Sequence, residues 1–197
     1  MTHECGKAMM RRLSVPLFHQ RAFIGRGLDI GSGDDPLSHY AYLFPRITGV
    51  DSWDREQGDG QTLPGVLPNV YDFVHSSHSL EHMVDPRAAL MRWYEVVRPG
   101  GYIVVTVPDE RLYEHGVWPS RFNEDHKHAF TLNTSRVTSE HVVSIHVLLL
   151  RAVPNAQLVR AELIDSTYDP AGSMFADQTL GRVAEAAIEL VIRKPAI

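Results

Sequence analysis

The sequence predicts an α/β fold: a Rossmann-like, doubly wound, mostly parallel sheet of seven strands with an antiparallel edge strand, in a single domain. Three observations predict it. An apolar run at residues 25–30 enters the glycine turn Gly31-Ser32-Gly33, the arrangement by which open α/β sheets bring a ligand against the backbone at a strand end. A second short apolar segment, residues 47–50, ends in the carboxylate of Asp51. Beyond it, β-rich apolar runs alternate with helix-period segments, as in strands joined by crossover helices.

Composition bounds the answer. At 197 residues and 44% hydrophobic content the chain can bury one core and is short for two domains. A formal net charge of -5 excludes a general nucleic-acid binder, which would carry a basic face. The basic pairs Arg11-Arg12 and Arg193-Lys194 read as solvated ends. Cys5 is the only cysteine, so there is no internal disulfide and no cysteine-based zinc cluster. No apolar stretch approaches a membrane span; a cytoplasmic protein with neither membrane nor nucleic-acid partner is expected, as a monomer or homodimer.

In chain order, residues 1–24 read as an N-terminal arm whose Val15, Leu17, Phe18 and Phe23 pack onto the sheet, and residues 25–197 as the domain proper. Asp35-Pro36 reads as a helix N-cap with proline at the first helical position; Leu37, Tyr40, Ala41 and Leu43 supply that helix's apolar stripe. Residues 53–60 are nearly all polar, so the third strand of the sheet is poorly formed, and the connection from Thr62 to Asn69 is short for a helix. Tyr71-Asp72-Phe73-Val74 leads the next strand into Ser76-Ser77-His78. Asp85-Pro86 is a second cap, opening a helix with Ala89, Leu90, Trp93, Val96 and Val97. Pro99-Gly100-Gly101 turns the chain into the buried run 102–107. Residues 108–137, aromatic and histidine-rich, form a lid or acceptor region. A helix over 139–153 and strands over 158–165 and 186–193 close the chain.

Taken in order, Leu28-Asp29-Ile30-Gly31-Ser32-Gly33, Gly49-Val50-Asp51, Gly58-Asp59-Gly60, Ser76-Ser77-His78-Ser79-Leu80-Glu81-His82, Asp85-Pro86 and Val97-Arg98-Pro99-Gly100-Gly101 closely resemble the class I S-adenosylmethionine-dependent methyltransferases, specifically the bacterial type 11 methyltransferase domain. Asp125-His126-Lys127-His128-Ala129-Phe130-Thr131 is similar to the stretch that follows the fifth strand there. The resemblance implies S-adenosylmethionine as cofactor and methylation of a small-molecule acceptor. It places Gly31 and Gly33 along the cofactor's methionine part and Asp51 at both ribose hydroxyls, with Asp29, Ser32 and Ser52 also against the cofactor. Asp59 and Gly60 fall at the adenine, and Ser77 and His78 beneath the transferable methyl.

Charge agrees with this cofactor over a dinucleotide. The turn continues Gly33-Asp34-Asp35, two carboxylates where a pyrophosphate would be repelled and a cationic amino-acid tail attracted. Proline at position 36 also removes the third glycine of the dinucleotide pattern, and no Tyr-x-x-x-Lys pair is present.

The candidate catalytic residues are His78, His126 and His128, as bases for an oxygen nucleophile; the alternative for His78 and His82 is a hydrogen-bonded structural role, with Glu81 orienting His82 or pairing with an arginine. Alternation along an extended segment puts His126 and His128 on one face. A metal site among Asp125, His126, His128 and His115 is disfavoured, and none is expected. Tyr113, His115, Trp118, Arg121 and Phe122 make a pocket wall, Trp53 stands beside the adenine or anchors the surface, and Asp177-Gln178-Thr179 lies in a late loop within reach of the acceptor. The competing reading is a non-catalytic methyltransferase-like module that binds cofactor or a partner enzyme.

Overall fold

A computed structural model describes residues 3–133 and 140–196. Its central sheet has six strands: β1 (Gly25–Ile30), β2 (Ile47–Trp53), β3 (Tyr71–Ser77), β4 (Val97–Pro108), β7 (Gln157–Ile164) and β8 (Ala187–Arg193), in the order β2-β1-β3-β4-β8-β7. The first four are mutually parallel, and β8 runs antiparallel to both β4 and β7. The reversed strand therefore lies inside the sheet, and β7 forms the edge. Six strands rather than seven follow from the polar stretch after β2. Residues 54–70 make turns and no strand, because they lack the alternating apolar residues that would bury one face of a strand. A separate two-stranded parallel ladder pairs β5 (Ala129–Thr131) with β6 (Val142–Ser144).

Two apolar layers hold the sheet. On one face, α2 (Pro86–Val96) and α3 (Ile145–Ala152) place Leu90, Trp93, Ile145 and Leu148 against Leu28, Ile30, Val74, Ile103 and Val105. On the other, α1 (Glu4–Arg12) and a π-helical turn (Phe18–Ala22) set Met9, Phe18 and Phe23 against Phe73, Val104 and Val191. Each fully buried large side chain here contributes roughly 1.5–3 kcal/mol. The arm is thus one layer of the fold.

The structure corrects several local expectations. Asp35 caps no helix. Residues Leu37–Leu43 form a 3-10 helix with Pro36 at its N-cap, and the Asp35 carboxylate instead accepts from the Gly6 amide, at 3.0 Å, and from the Tyr40 hydroxyl. The closing helix starts at Ile145, because Val142–Ser144 is extended and pairs with β5; position 139 lies outside the described residues. Arg12 is wholly buried rather than solvated.

The second cap is as expected. Asp85 accepts from the Arg87 and Ala88 amides at 2.9 and 3.1 Å, and Pro86, which has no amide hydrogen, takes the first helical position. Replacing Asp85 by Ala should cost about 1 kcal/mol, read as a lower urea midpoint at unchanged slope; no shift would mean that water replaces the cap.

Candidate active site

The carboxyl ends of β1, β2 and β3 meet around two adjoining cavities. The inner one, of about 260 Å³, is lined by Glu4, Cys5, Asp29, residues 31–35, His75, Ser77 and His78. The outer one, of about 530 Å³, is lined by Ile30, Gly31, Trp53, Asp54, Asp59, Gly60, His78, His82, Met83, Asp125 and Lys127 among others. Gly31 and His78 border both.

Backbone geometry explains the glycine turn. Gly31 has φ +71°, a left-handed conformation that costs other residues strain, and a Cβ there would stand 2.4 Å from Ser79 Oγ. Gly33 has φ +49°, and its amide donates to Asp54 Oδ2 at 2.6 Å. The turn is therefore tied to the end of β2 by a charge-assisted hydrogen bond.

That bond bears on which acid serves the site. β2 continues two residues past Asp51, pairing Leu28 with Asp51 and Ile30 with Trp53. The Asp51 carboxylate consequently lies alongside the strand, not at its tip. It accepts from the Tyr71 hydroxyl at 2.8 Å and pairs with Arg26 Nη2 at 2.7 Å, and it lines neither cavity. Ser52 is exposed and also lines neither. Asp54, which follows the strand, is the acid that borders the outer cavity. The sequence reading ends the strand at the first carboxylate, whereas β2 runs on through Trp53 and Asp54 follows it.

The remaining cofactor candidates divide. Asp29 and Ser32 are buried in the inner cavity's wall. Asp29 is fully engaged, accepting from the Leu37 amide at 2.7 Å and bonding His75 Nδ1 at 2.6 Å. Asp59 borders the outer cavity while its carboxylate caps its own turn, accepting from the Gln61 amide at 2.8 Å. Gly60 is held by its carbonyl, which accepts from Trp93 Nε1 at 2.8 Å, and it lies over Ile30 and Met83. Trp53 Nε1 donates to the Gly58 carbonyl, closing the same wall. Ser77 Oγ is 3.2 Å from His78 Nδ1.

The histidines do not share one place. His78 has φ +53° and its amide donates to the Thr106 carbonyl at 2.9 Å. Burial, reinforced by His126 and Lys7, lowers its pKa to about 3, so the ring is neutral at physiological pH. His126 is buried, with Nδ1 2.7 Å from Glu114 Oε1. His128 turns away: its ring nitrogen meets the Val84 carbonyl at 3.3 Å, and it lines a separate cavity beside the start of α2. The chain at 126–128 is not a strand but is pinned to the Glu81 carbonyl through the Lys127 and His128 amides. The expected common face is therefore lost. Tyr113 packs against Phe122 and His126, whereas Trp118 stacks on His141. Asp177 caps its own turn through the Thr179 amide and reaches neither cavity.

Beneath the site lies a network that sequence reasoning did not find. Arg12 donates through Nε to Glu189 Oε2 at 2.7 Å and through Nη2 to Thr106 Oγ1 at 2.9 Å, and its Nη1 is 3.0 Å from His75 Nε2. A guanidinium only donates, so His75 Nε2 accepts, and its Nδ1–H donates to Asp29. One chain of bonds links β8, the arm, β3 and the floor of the inner cavity.

Among known proteins, the profile of the family described as Methyltransferase domain (type 23) matches residues 5–148. No curated protein matches the sequence. Solved structures share the fold. A SAM dependent methyltransferase from Archaeoglobus fulgidus is 18% identical, with 98% of this chain and 95% of that chain covered, at TM-score 0.56. The structure described as a complex of the Haloferax volcanii Trm112 methyltransferase activator with a methyltransferase matches at 16% identity, 98% and 89% coverage and TM-score 0.59. A Bacillus halodurans protein described as a methyltransferase matches at 12% identity, 95% and 99% coverage and TM-score 0.58. None of the described helices is long and apolar enough to cross a membrane.

Proposed function

We propose, given that this chain belongs to the methyltransferase domain family, that it transfers the methyl group of S-adenosylmethionine to a hydroxyl oxygen of a small molecule. The observation that carries the cofactor assignment is the sign of the inner cavity. Glu4, Asp29, Asp34 and Asp35 line it, and no lysine or arginine does. Such a wall attracts the ammonium and sulfonium of S-adenosylmethionine and repels phosphate. S-adenosylmethionine, when bound, supplies an electrophilic methyl on a sulfonium, which becomes a neutral thioether as the S–CH₃ bond breaks and the O–CH₃ bond forms.

The residues divide the work. Gly31 offers backbone where a side chain would collide with Ser79. Asp54, whose two carboxylate oxygens accept from the Gly33 and Arg55 amides at 2.6 and 2.7 Å, has a second lone pair on each oxygen for the ribose hydroxyls, and Ile30, Met83 and Gly60 form an apolar slot for the adenine. His78, bordering both cavities and neutral, accepts a hydrogen bond from the acceptor hydroxyl and orients it. Proximity and exclusion of water then supply most of the rate. His128 has no part in this reading.

The test is turnover of labelled S-adenosylmethionine over matched panels of alcohols, phenols and amines. Methylation of hydroxyl compounds is expected, with no loss of rate between pH 8 and 5 attributable to His78, since its pKa lies far below. Methylation confined to amines, or a limb near pH 6.5 abolished by His78→Asn, would overturn the acceptor assignment or the orienting role respectively. The Haloferax volcanii relative, held with an activator protein, favours one second reading: a module that binds cofactor or a partner enzyme without catalysis. Tight cofactor binding with no turnover over every panel would support it.

A further inference from the structure

Behind His78, among side chains the cofactor reading does not use, is a cluster of unusual chemistry. Glu81 is wholly buried, and neither of its carboxylate oxygens has a hydrogen-bond partner. An unmatched buried carboxylate is costly. Its surroundings do not consist of apolar side chains alone. Oε1 faces His126 Nε2 at 3.9 Å, and ligand atoms of Glu81, His82 and His126 all lie within 4.8 Å of one another.

Both imidazoles are held from behind. His126 Nδ1 is taken by Glu114 Oε1 at 2.7 Å, and His82 Nδ1 by the Asp125 carbonyl at 3.1 Å. A carbonyl accepts only, so His82 carries its hydrogen on Nδ1; the same assignment for His126 satisfies Glu114. In each ring Nε2 is left with a free lone pair. Carboxylate or carbonyl on one nitrogen and an open lone pair on the other is how histidine ligands are oriented toward metals. The backbone is built to match: the Glu81 carbonyl accepts from the Lys127 and His128 amides at 2.9 and 3.2 Å, clamping the loop that carries His126 onto the turn that carries Glu81 and His82.

We propose that Glu81, His82 and His126 bind a divalent first-row transition metal ion, with Glu114 and the Asp125 carbonyl fixing the two imidazoles. Tetrahedral ligands at about 2.1 Å from one metal stand roughly 3.4 Å apart, so the Glu81–His126 pair, at 3.9 Å, closes by about half an ångström on binding, and a pair at the 4.8 Å limit would close by about 1.4 Å. Two imidazoles and one carboxylate suit zinc, cobalt, manganese or iron, whereas magnesium and calcium prefer oxygen ligands throughout. Three protein ligands leave coordination open, and His82 borders the outer cavity, so the open side faces the cavity assigned above to the nucleoside, next to His78, which orients the acceptor. That last step rests on the acceptor reading above; the metal site itself does not. The site reverses the expectation that these histidines hold no metal: the pattern His-x-His suggested the wrong pair, since the ligands come from Glu81-His82 and one histidine of the later loop.

The experiment is titration of untagged, chelator-treated full chain with Co²⁺ and Zn²⁺, followed by calorimetry and by visible cobalt absorption. One equivalent with ligand-field bands is expected, weakened more than tenfold in Glu81→Gln and 10- to 100-fold in Glu114→Gln. S-adenosylmethionine binding and circular dichroism report folding in every variant. Glu81→Gln, which keeps the side chain's volume, carries the test should a histidine variant fail to fold. Absence of cobalt binding, or affinity unchanged in Glu81→Gln, overturns the proposal. A chain that binds cobalt but not S-adenosylmethionine would leave the metal site standing and overturn the cofactor reading instead.

Discussion

Asp54→Ala should weaken S-adenosylmethionine binding by about 10- to 100-fold in calorimetric titration, while Asp51→Ala should change it by less than about threefold. The difference is one of position. Both acids follow the same apolar segment, but Asp51 is engaged by Tyr71 and Arg26 at the side of β2, whereas Asp54 sits past its end and grips the Gly33 amide. A hydrogen bond to a charged group is worth about 1.5–3 kcal/mol, and each 1.4 kcal/mol is a factor of ten in affinity. Asp51→Ala should act on stability instead, lowering it by about 1 kcal/mol as Tyr71 and Arg26 lose their partner. Asp54→Asn separates the two duties of that residue, since the amide oxygen can still hold Gly33 but the charge is gone. If Asp51→Ala abolishes binding and Asp54→Ala does not, the strand-end assignment is wrong.

Arg12→Met should lower the unfolding free energy by about 3–5 kcal/mol, the usual cost of leaving one member of a buried ion pair behind. The stranded group is Glu189, with Thr106 and His75 losing partners as well. Burial alone would raise the Glu189 carboxyl, but Arg12 and Arg11 outweigh it and lower its pKa to about 2. The folded value lies below the unfolded one, near 4.5. Its contribution is therefore complete above about pH 4.5 and is lost as pH falls toward 2. Urea unfolding across that range should show a steeper acid loss in the wild type than in Arg12→Met. The double variant Arg12→Met/Glu189→Leu should recover part of the loss, because an apolar pair strands no charge. Equal stability of Arg12→Met and wild type at pH 7 would mean that water or Arg11 fully compensates.

What could be read from the chain was local. The glycine turn, the strand 25–30 entering it, the Asp85-Pro86 cap and the buried run 102–107 each depend on residues a few positions apart. Misreadings arose where a distant partner decides. Arg11-Arg12 reads as surface until Glu189 is known to sit beneath it. Which of Asp51 and Asp54 borders the outer cavity depends on where β2 ends, and the strand runs past the first carboxylate to Trp53. Asp35 looks like a cap because nothing nearby announces that the Gly6 amide will claim it. His126 and His128 look like a pair because alternation assumes a strand, and the amides at 127 and 128 instead fold onto the Glu81 carbonyl. The cluster at Glu81, His82, Glu114 and His126 draws on three segments, and its most informative member, Glu81, is apparent only once its burial is known.

The bond between Arg12 and Glu189 spans 177 positions of the chain, and it has a consequence for synthesis. The helix carrying Arg12 leaves the ribosome long before β8 does. Until β8 arrives, the guanidinium has no carboxylate, β4 lacks a neighbour on one side, and the inner cavity's floor lacks the bond chain that steadies it. Contacts of such long range make for slow folding and exposed intermediates. Nascent chains that stop short of β8 should therefore be held by chaperones or degraded rather than released half-active.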